Sequence, residues 1–148
     1  MTDLTYRKAL VSDLNYLLWL RKQTMDEHLM ESGISLSNED HLLRINYLFD
    51  QAQVIVLAGQ DIGLLKIDEQ ESNIEIVQIQ IDPKFQGKGI GRQIVSNVID
   101  KSKVLKKNVL LSVLKENKAR ELYLRIGFKI IGEDDHSFIM LFDHNAKE

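Results

Sequence analysis

The chain has 148 residues, 44% apolar and 28% charged, with a net charge of −3 at pH 7. That is one ordinary globular domain, residues 1–148, able to bury a core of its own; the slight negative charge argues against nucleic acid as a partner. The absence of cysteine excludes disulfides, thiol nucleophiles and thiolate metal sites.

The four histidines, His28, His41, His136 and His144, show no i, i+4 or H-x-H spacing, so no metal is expected. "MTDLTYRKAL" lacks the charged start and apolar core of a signal peptide. No apolar run approaches the roughly 18 residues of a membrane helix. The expectation is a cytoplasmic protein with no membrane partner.

"LTYRKAL" reads as a first strand. Asp13 is a good N-cap for a helix carrying Leu14, Leu17, Leu18, Met25 and Leu29 at helical spacing, and Gly33 can stop it. "SNEDHLLRINYLFD" reads as a second helix, capped by Ser37 with Asp40 at its third position. Leu42, Leu43, Ile45 and Leu48 supply its apolar faces. "AQVIVLAG" and "IGLLKIDE" form a hairpin across "GQD", and "SNIEIVQIQID" is the next strand. Strict alternation there puts Ile74, Ile76, Gln78 and Gln80 on one face and Glu75, Val77, Ile79 and Ile81 on the other.

A glycine corner, "QGKGIG", leads into a helix with Ile90, Ile94, Val95, Val98 and Ile99 on one stripe. Then come the strand "NVLLSVLK", the helix "NKARELYLRIG" and a closing hairpin of "FKIIGE" and "SFIMLF". The order predicts an α/β (α+β) mixed sheet with one βαβ crossover at the glycine corner.

That corner spends three of the chain's eight glycines on six residues. Glycine lets backbone N–H groups face a ligand, and a helix beginning there adds free N–H groups and its positive dipole end. Lys84, Lys88 and Arg92 surround it with no acid between residues 83 and 99, which favours an anion. The spacing is not G-x-x-x-x-G-K-S/T, and the dinucleotide fingerprint fails because Arg92 stands where its last glycine belongs. What remains is Q-x-x-G-x-G, on Gln86, Gly89 and Gly91.

With "NKARELYLRIGF" (Asn117, Ala119, Leu122, Tyr123, Gly127, Phe128), the corner resembles the GNAT superfamily of acyl-CoA-dependent N-acyltransferases. The likeness covers nearly the whole chain, and "YRKALVSDL" resembles the family's opening strand and helix start. It implies a mixed sheet of six or seven strands with about four helices. The central parallel strands, 73–82 and 108–114 here, splay apart around the pantetheine arm. It implies acetyl-CoA as co-substrate and no metal. Ile79 and Ile81 would hold pantetheine by their backbone. The amides of Gly87, Lys88, Gly89, Ile90, Gly91 and Arg92 would hold the pyrophosphate, with Gln86 in the motif and Asn117 reaching the coenzyme.

Amide formation from a thioester needs a neutral amine, although an alkyl amine titrates at about 10. It also needs a donor for the developing oxyanion and a proton for the leaving sulfur, a positioned acid giving about 10²–10⁴-fold. The resemblance makes Tyr123 the acid, beside the coenzyme sulfur, and the backbone N–H of Ile79 the oxyanion donor. Periodicity alone makes Tyr123 core, on a stripe with Ala119, Leu122 and Ile126. Glu75 is the candidate base, set by strand position among apolar neighbours. Its alternative is a solvated strand-end glutamate.

The acceptor is expected to be an amine of a small molecule or peptide. Asp26, Glu27, Glu31, Glu39 and Asp40, with no Lys or Arg between residues 23 and 43, suggest an acidic mouth for a cationic one. The alternatives are a solvated acidic helix face there and, for the whole protein, a non-catalytic acyl-CoA sensor or interaction module. A homodimer is expected from the edge of the C-terminal hairpin, where "SFIMLF" would be a liability if exposed.

Overall fold

The computed structural model describes residues 3–145, Glu27 by its backbone alone. In chain order the elements are β1 (Leu4–Lys8), α1 (Leu14–Glu31), α2 (Asn38–Asn46), β2 (Ala52–Leu57), β3 (Gln60–Glu69) and β4 (Asn73–Ile81). They continue with α3 (Ile90–Leu105), β5 (Asn108–Leu114), α4 (Ala119–Ile126), β6 (Lys129–Glu133) and β7 (Ser137–Phe142). The strands form one sheet in the order β1-β2-β3-β4-β5-β7-β6. β4 and β5 pair in parallel across the α3 crossover, and the other pairs are antiparallel. This is the mixed sheet that the element order predicts.

Each face of the sheet is covered by two helices. Ile90, Ile94, Val95, Val98 and Ile99 of α3 join Tyr123 of α4, Phe128 and Phe142 in one core. Leu17 and Leu20 of α1 and Ile45 of α2 close a smaller core over Ala52, Val54 and Leu64. No described helix is long and apolar enough to cross a membrane.

Three local expectations change. Asp13 does not cap α1 with its side chain; its carboxylate turns back to accept from the Leu10 N–H at 2.7 Å and from both terminal nitrogens of Arg7 at 2.9 and 2.8 Å. A charge-assisted fork outweighs one neutral cap bond, and Arg7 holds the Asp13 carboxyl below its usual range. In α2 the Ser37–Asp40 capping box forms, but Leu43 is 71% exposed and His41 is buried in its place. At the C-terminal end "SFIMLF" is an interior strand, and β6 is the edge.

The decisive irregularity lies in β4. Lys66 pairs with Gln78, but Ile67 pairs with Ile76, so Val77 opposes no residue. An extra residue in one strand reverses the phase of its side chains. Leu65 and Ile67 belong to the α3–α4 core, as do their partners Ile79 and Ile76. Ile74, Ile76, Ile79 and Ile81 therefore share that face. Glu75, opposite Asp68, shares the other face with Gln78, opposite Lys66, and Gln80, opposite Leu64. Strict alternation puts Glu75 with Ile79 and Ile81; the bulge corrects that.

At the same point the sheet divides. β4 and β5 pair from Asn73↔Asn108 to Ile76↔Leu111 and no further. β4 runs on to Ile81, while β5 stays with β7 as far as Leu114↔Ser137. The predicted splay of the two parallel strands is present.

Candidate active site

A cavity of about 1150 Å³ lies over this gap. Its walls are α1 and α2, the bulged stretch of β4, Leu111–Leu114 of β5, Tyr123 of α4 and the β6–β7 turn. Of the predicted site residues, Ile79, Asn117 and Tyr123 line it; Ile81 and Gln86–Arg92 lie beyond the end of its β4 wall, and Glu75 is outside it.

Tyr123 is 6% exposed. Its ring packs against Phe128 with centroids 5.7 Å apart, and burial pushes its phenol up to about 12. The residue is both core and cavity wall. The Asn117 Oδ1 accepts from the Ala119 N–H at 2.9 Å, so Asn117 braces the turn into α4, whose N-cap is Lys118, while touching the cavity.

The glycine corner turns the chain from β4 into α3. Gly87 and Gly89 are left-handed, with φ of +75° and +80°, and open space surrounds the Cβ each lacks. Gly91 is helical, and a Cβ there would only touch Ile81 Cδ1 at 3.4 Å and Leu122 Cδ2 at 3.8 Å. Two of the three glycines are therefore conformational requirements. The first bond of α3 runs from the Gln93 N–H to the Gly89 carbonyl at 3.1 Å, which leaves the N–H groups before it to a ligand. Gln86 Nε2 ties the corner to β4 through the Ile81 carbonyl at 2.9 Å. Lys84, Lys88 and Arg92 are exposed around it, and Lys88 sits over the Phe85 ring.

Glu75 lies in the part of β4 that is paired on both sides, opposite Asp68 and Leu110. It accepts from Gln70 Nε2 at 3.1 Å. The structure does not bring it to Tyr123 and Ile79.

Among the described side chains of the expected acidic mouth, Asp40 alone lines the cavity, with Asp134 and Asp135 joining it from the β6–β7 turn. Asp26 accepts from His41 Nε2 at 2.8 Å, and the Glu27 side chain lies outside the described residues. Glu31 and Glu39 are exposed and away from the cavity. Asp40 reaches it, but its carboxylate takes the Ser37 N–H at 3.1 Å. The α1–α2 wall instead presents Arg21 and Arg44, just outside the segment whose charge suggested a cationic ligand.

Sequence reasoning also missed Gln78, Gln80 and Lys66. Lys66 is fully buried and donates to the carbonyls of Arg44, Ile45 and Tyr47 at the end of α2. The available signal was polarity out of place: Arg21 interrupts an apolar helix stripe, and Lys66 an apolar strand.

Residues 50–130, more than half the chain, match the model of the acetyltransferase (GNAT) domain. The chain belongs to the GNAT acetyltransferase family. It is 29% identical over 87 residues to human N-acetylaspartate synthetase, a match spanning 56% of this chain and only 29% of that protein. The fold is similar to that of the PaiA N-acetyltransferase from Thermoplasma acidophilum in complex with coenzyme A. The TM-score is 0.73 and the identity 19%, covering 95% of this chain and 99% of that one. A chimeric spermidine N-acetyltransferase from Vibrio cholerae and hSSAT superposes with a TM-score of 0.68 at 26% identity, covering 95% of each chain. These likenesses are of overall fold.

Proposed function

We propose that this GNAT protein is an acetyl-CoA-dependent N-acetyltransferase passing acetyl directly to a bound amine. The observation that carries it is the parting of β4 and β5 after Ile76↔Leu111, with a phosphate-ready helix start at the end of β4 and Tyr123 facing the gap. The residues fit acetyl-CoA. The unpaired edge of β4 around Ile79 and Ile81 suits the amide groups of a pantetheine arm. The N–H groups from Gly87 to Arg92, reinforced by Lys88 and Arg92, suit its diphosphate. Asn117 stands at the far wall.

When bound, acetyl-CoA supplies the activated acyl group. The Ile79 N–H is the proposed donor to the carbonyl oxygen as negative charge gathers there. Tyr123, with its phenol near 12, stays protonated through the neutral range and donates a hydrogen bond to the departing sulfur. Glu75 receives no step, because it lies outside the cavity, in the fully paired part of β4, and accepts from Gln70; the amine loses its proton to water in the cavity.

The relative named N-acetylaspartate synthetase and the spermidine N-acetyltransferase support an amine acceptor of small size. A cytoplasmic setting and a homodimer belong to the same reading. The exposed β6 edge, with Ile130 and Ile131 open, is where a second copy would pair.

Calorimetric titration with acetyl-CoA and desulfo-CoA, followed by thiol release over a panel of amines, tests the proposal. Binding with amine-dependent thiol release is the expected result. Binding without release over the whole panel favours the acyl-CoA sensor, and no binding removes the coenzyme reading.

A further inference from the structure

The α1–α2 wall of the cavity carries a buried guanidinium that no carboxylate hydrogen-bonds among the described residues. Arg21 is 4% exposed. Its Nε donates to His41 Nδ1 at 3.0 Å, and its two terminal amino groups have no acceptor among the described residues. His41, accepting at Nδ1, carries its proton on Nε2 and gives it to Asp26, so Asp26 hydrogen-bonds the histidine and acts on the guanidinium only through space. Burial, and then the nearby charge of Arg44, work against the Arg21 cation, and the Asp26 charge offsets them only in part. Lys66 adds a third positive charge close enough for Arg21 to lower its pKa, but its ammonium is taken up by the end of α2. None of the three acids lining the cavity hydrogen-bonds either arginine among the described residues: Asp40 accepts from Ser37, Asp134 from the N–H groups of His136 and Ser137, and Asp135 stands exposed on the β6–β7 turn. A buried guanidinium without a carboxylate is costly, and its planar fork fits one.

A second unmet demand lies on the adjoining β4 wall. Gln78 gives Nε2 to the Arg44 carbonyl at 3.1 Å, which fixes its amide so that Oε1 is the unused atom. The Oε1 atoms of Gln78 and Gln80 are both buried with no donor. Two buried acceptors without donors call for N–H groups from a ligand, and a primary amine supplies them. Both residues flank Ile79, where the acyl carbonyl is proposed to lie.

We propose that the acceptor is an amino acid or a similarly small amine bearing a carboxylate. Arg21 and Arg44 hold the carboxylate, while Gln78 and Gln80 receive the amine. The proposal rests on the reading of this cavity as the acceptor site. In the transfer the acceptor nitrogen bonds to the acetyl carbon and the C–S bond breaks. Nitrogen loses one proton and the coenzyme leaves as the thiol, so atoms and charge balance.

The test uses the full chain loaded with desulfo-CoA and titrated with free L-amino acids, with their carboxamides and with spermidine. Calorimetry and thermal melting report binding; thiol release from acetyl-CoA is followed in parallel. At least one free amino acid is expected to bind about 30-fold more tightly than its carboxamide, the effect of removing one charge-assisted hydrogen bond. Arg44→Gln, at an exposed position, and Arg21→Lys, which keeps the charge but not the fork, are expected to raise that ligand's Kd and KM by a similar factor. Both should leave acetyl-CoA affinity unchanged. The proposal is overturned if carboxamides or spermidine bind as well as the free acids, if no free amino acid binds, or if both variants, melting as wild type, keep its affinity. Failure of the acetyltransferase reading appears separately, as absence of acetyl-CoA binding in its own titration.

Discussion

The two ends of the cleft are made of different material. At the α3 end the groups offered to a ligand are backbone N–H groups, exposed by Gly87 and Gly89 and by the start of a helix. At the α1–α2 end they are side chains: Arg21, Arg44, Gln78 and Gln80. A backbone site depends on conformation and suits a ligand that never varies. A side-chain site depends on residue identity and can be retuned for each acceptor without disturbing the first. The bulge at Val77 joins the two, because it turns Gln78 and Gln80 to the α1–α2 side while the β4 backbone beyond Ile76 is left unpaired by β5.

Tyr123 stands where the halves meet, and its loss should have the largest effect. Tyr123→Phe is expected to lower kcat about 100-fold with acetyl-CoA affinity unchanged, as read by steady-state kinetics and calorimetry. An unchanged kcat would reduce Tyr123 to a packed ring. The backbone half is tested by Gly89→Val, which forces a β-branched residue to φ +80°. About tenfold weaker acetyl-CoA binding is expected from the strain, with the acceptor KM unmoved. Gly91→Ala, at a helical position with room for a methyl group, is the matched control.

The side-chain half has a pH signature. Burial, then the charge of Arg21, push Lys66 down to about 8 from its ordinary 10.5. The folded chain therefore sheds this proton at lower pH than the unfolded chain does, and stability should rise between those two values. The limiting slope is about 1.4 kcal/mol per pH unit. Lys66→Met should lose that slope in denaturant titrations across the range. If the slope persists, another group is its source. The smallest effect is predicted for Glu75→Gln, less than about twofold in kcat/KM, because a group outside the cavity makes no transition-state contact. A larger loss would restore Glu75 as a base.

Most of the fold was legible because it follows from local patterns. The stripe of α3, the Ser37–Asp40 box and the alternation of β2 and β3 each write their element into a few consecutive residues. The glycine corner and the start of α4 were legible for the same reason. Positive-φ glycines between a strand and a helix form a contiguous signal, and the second motif lies on a single helix. Asp13 was misread because Arg7, six residues away, competes for it. Glu75 was misread because period-2 counting makes no allowance for an inserted residue. The partner that reveals the bulge, Lys66–Ile67, lies on another strand.

Residue order by itself determined the elements, the parallel crossover and the glycine corner, since each depends on neighbours within about one turn or one strand. Only the tertiary structure decided the character of the α1–α2 wall of the cavity. Acids counted along residues 23–43 predicted a negative mouth. Folding left Glu31 and Glu39 exposed, gave Asp26 to His41 and Asp40 to Ser37, and placed Arg21 and Arg44 on the cavity wall. Charge along a chain is additive; the charge a ligand meets depends on which groups burial leaves without a partner.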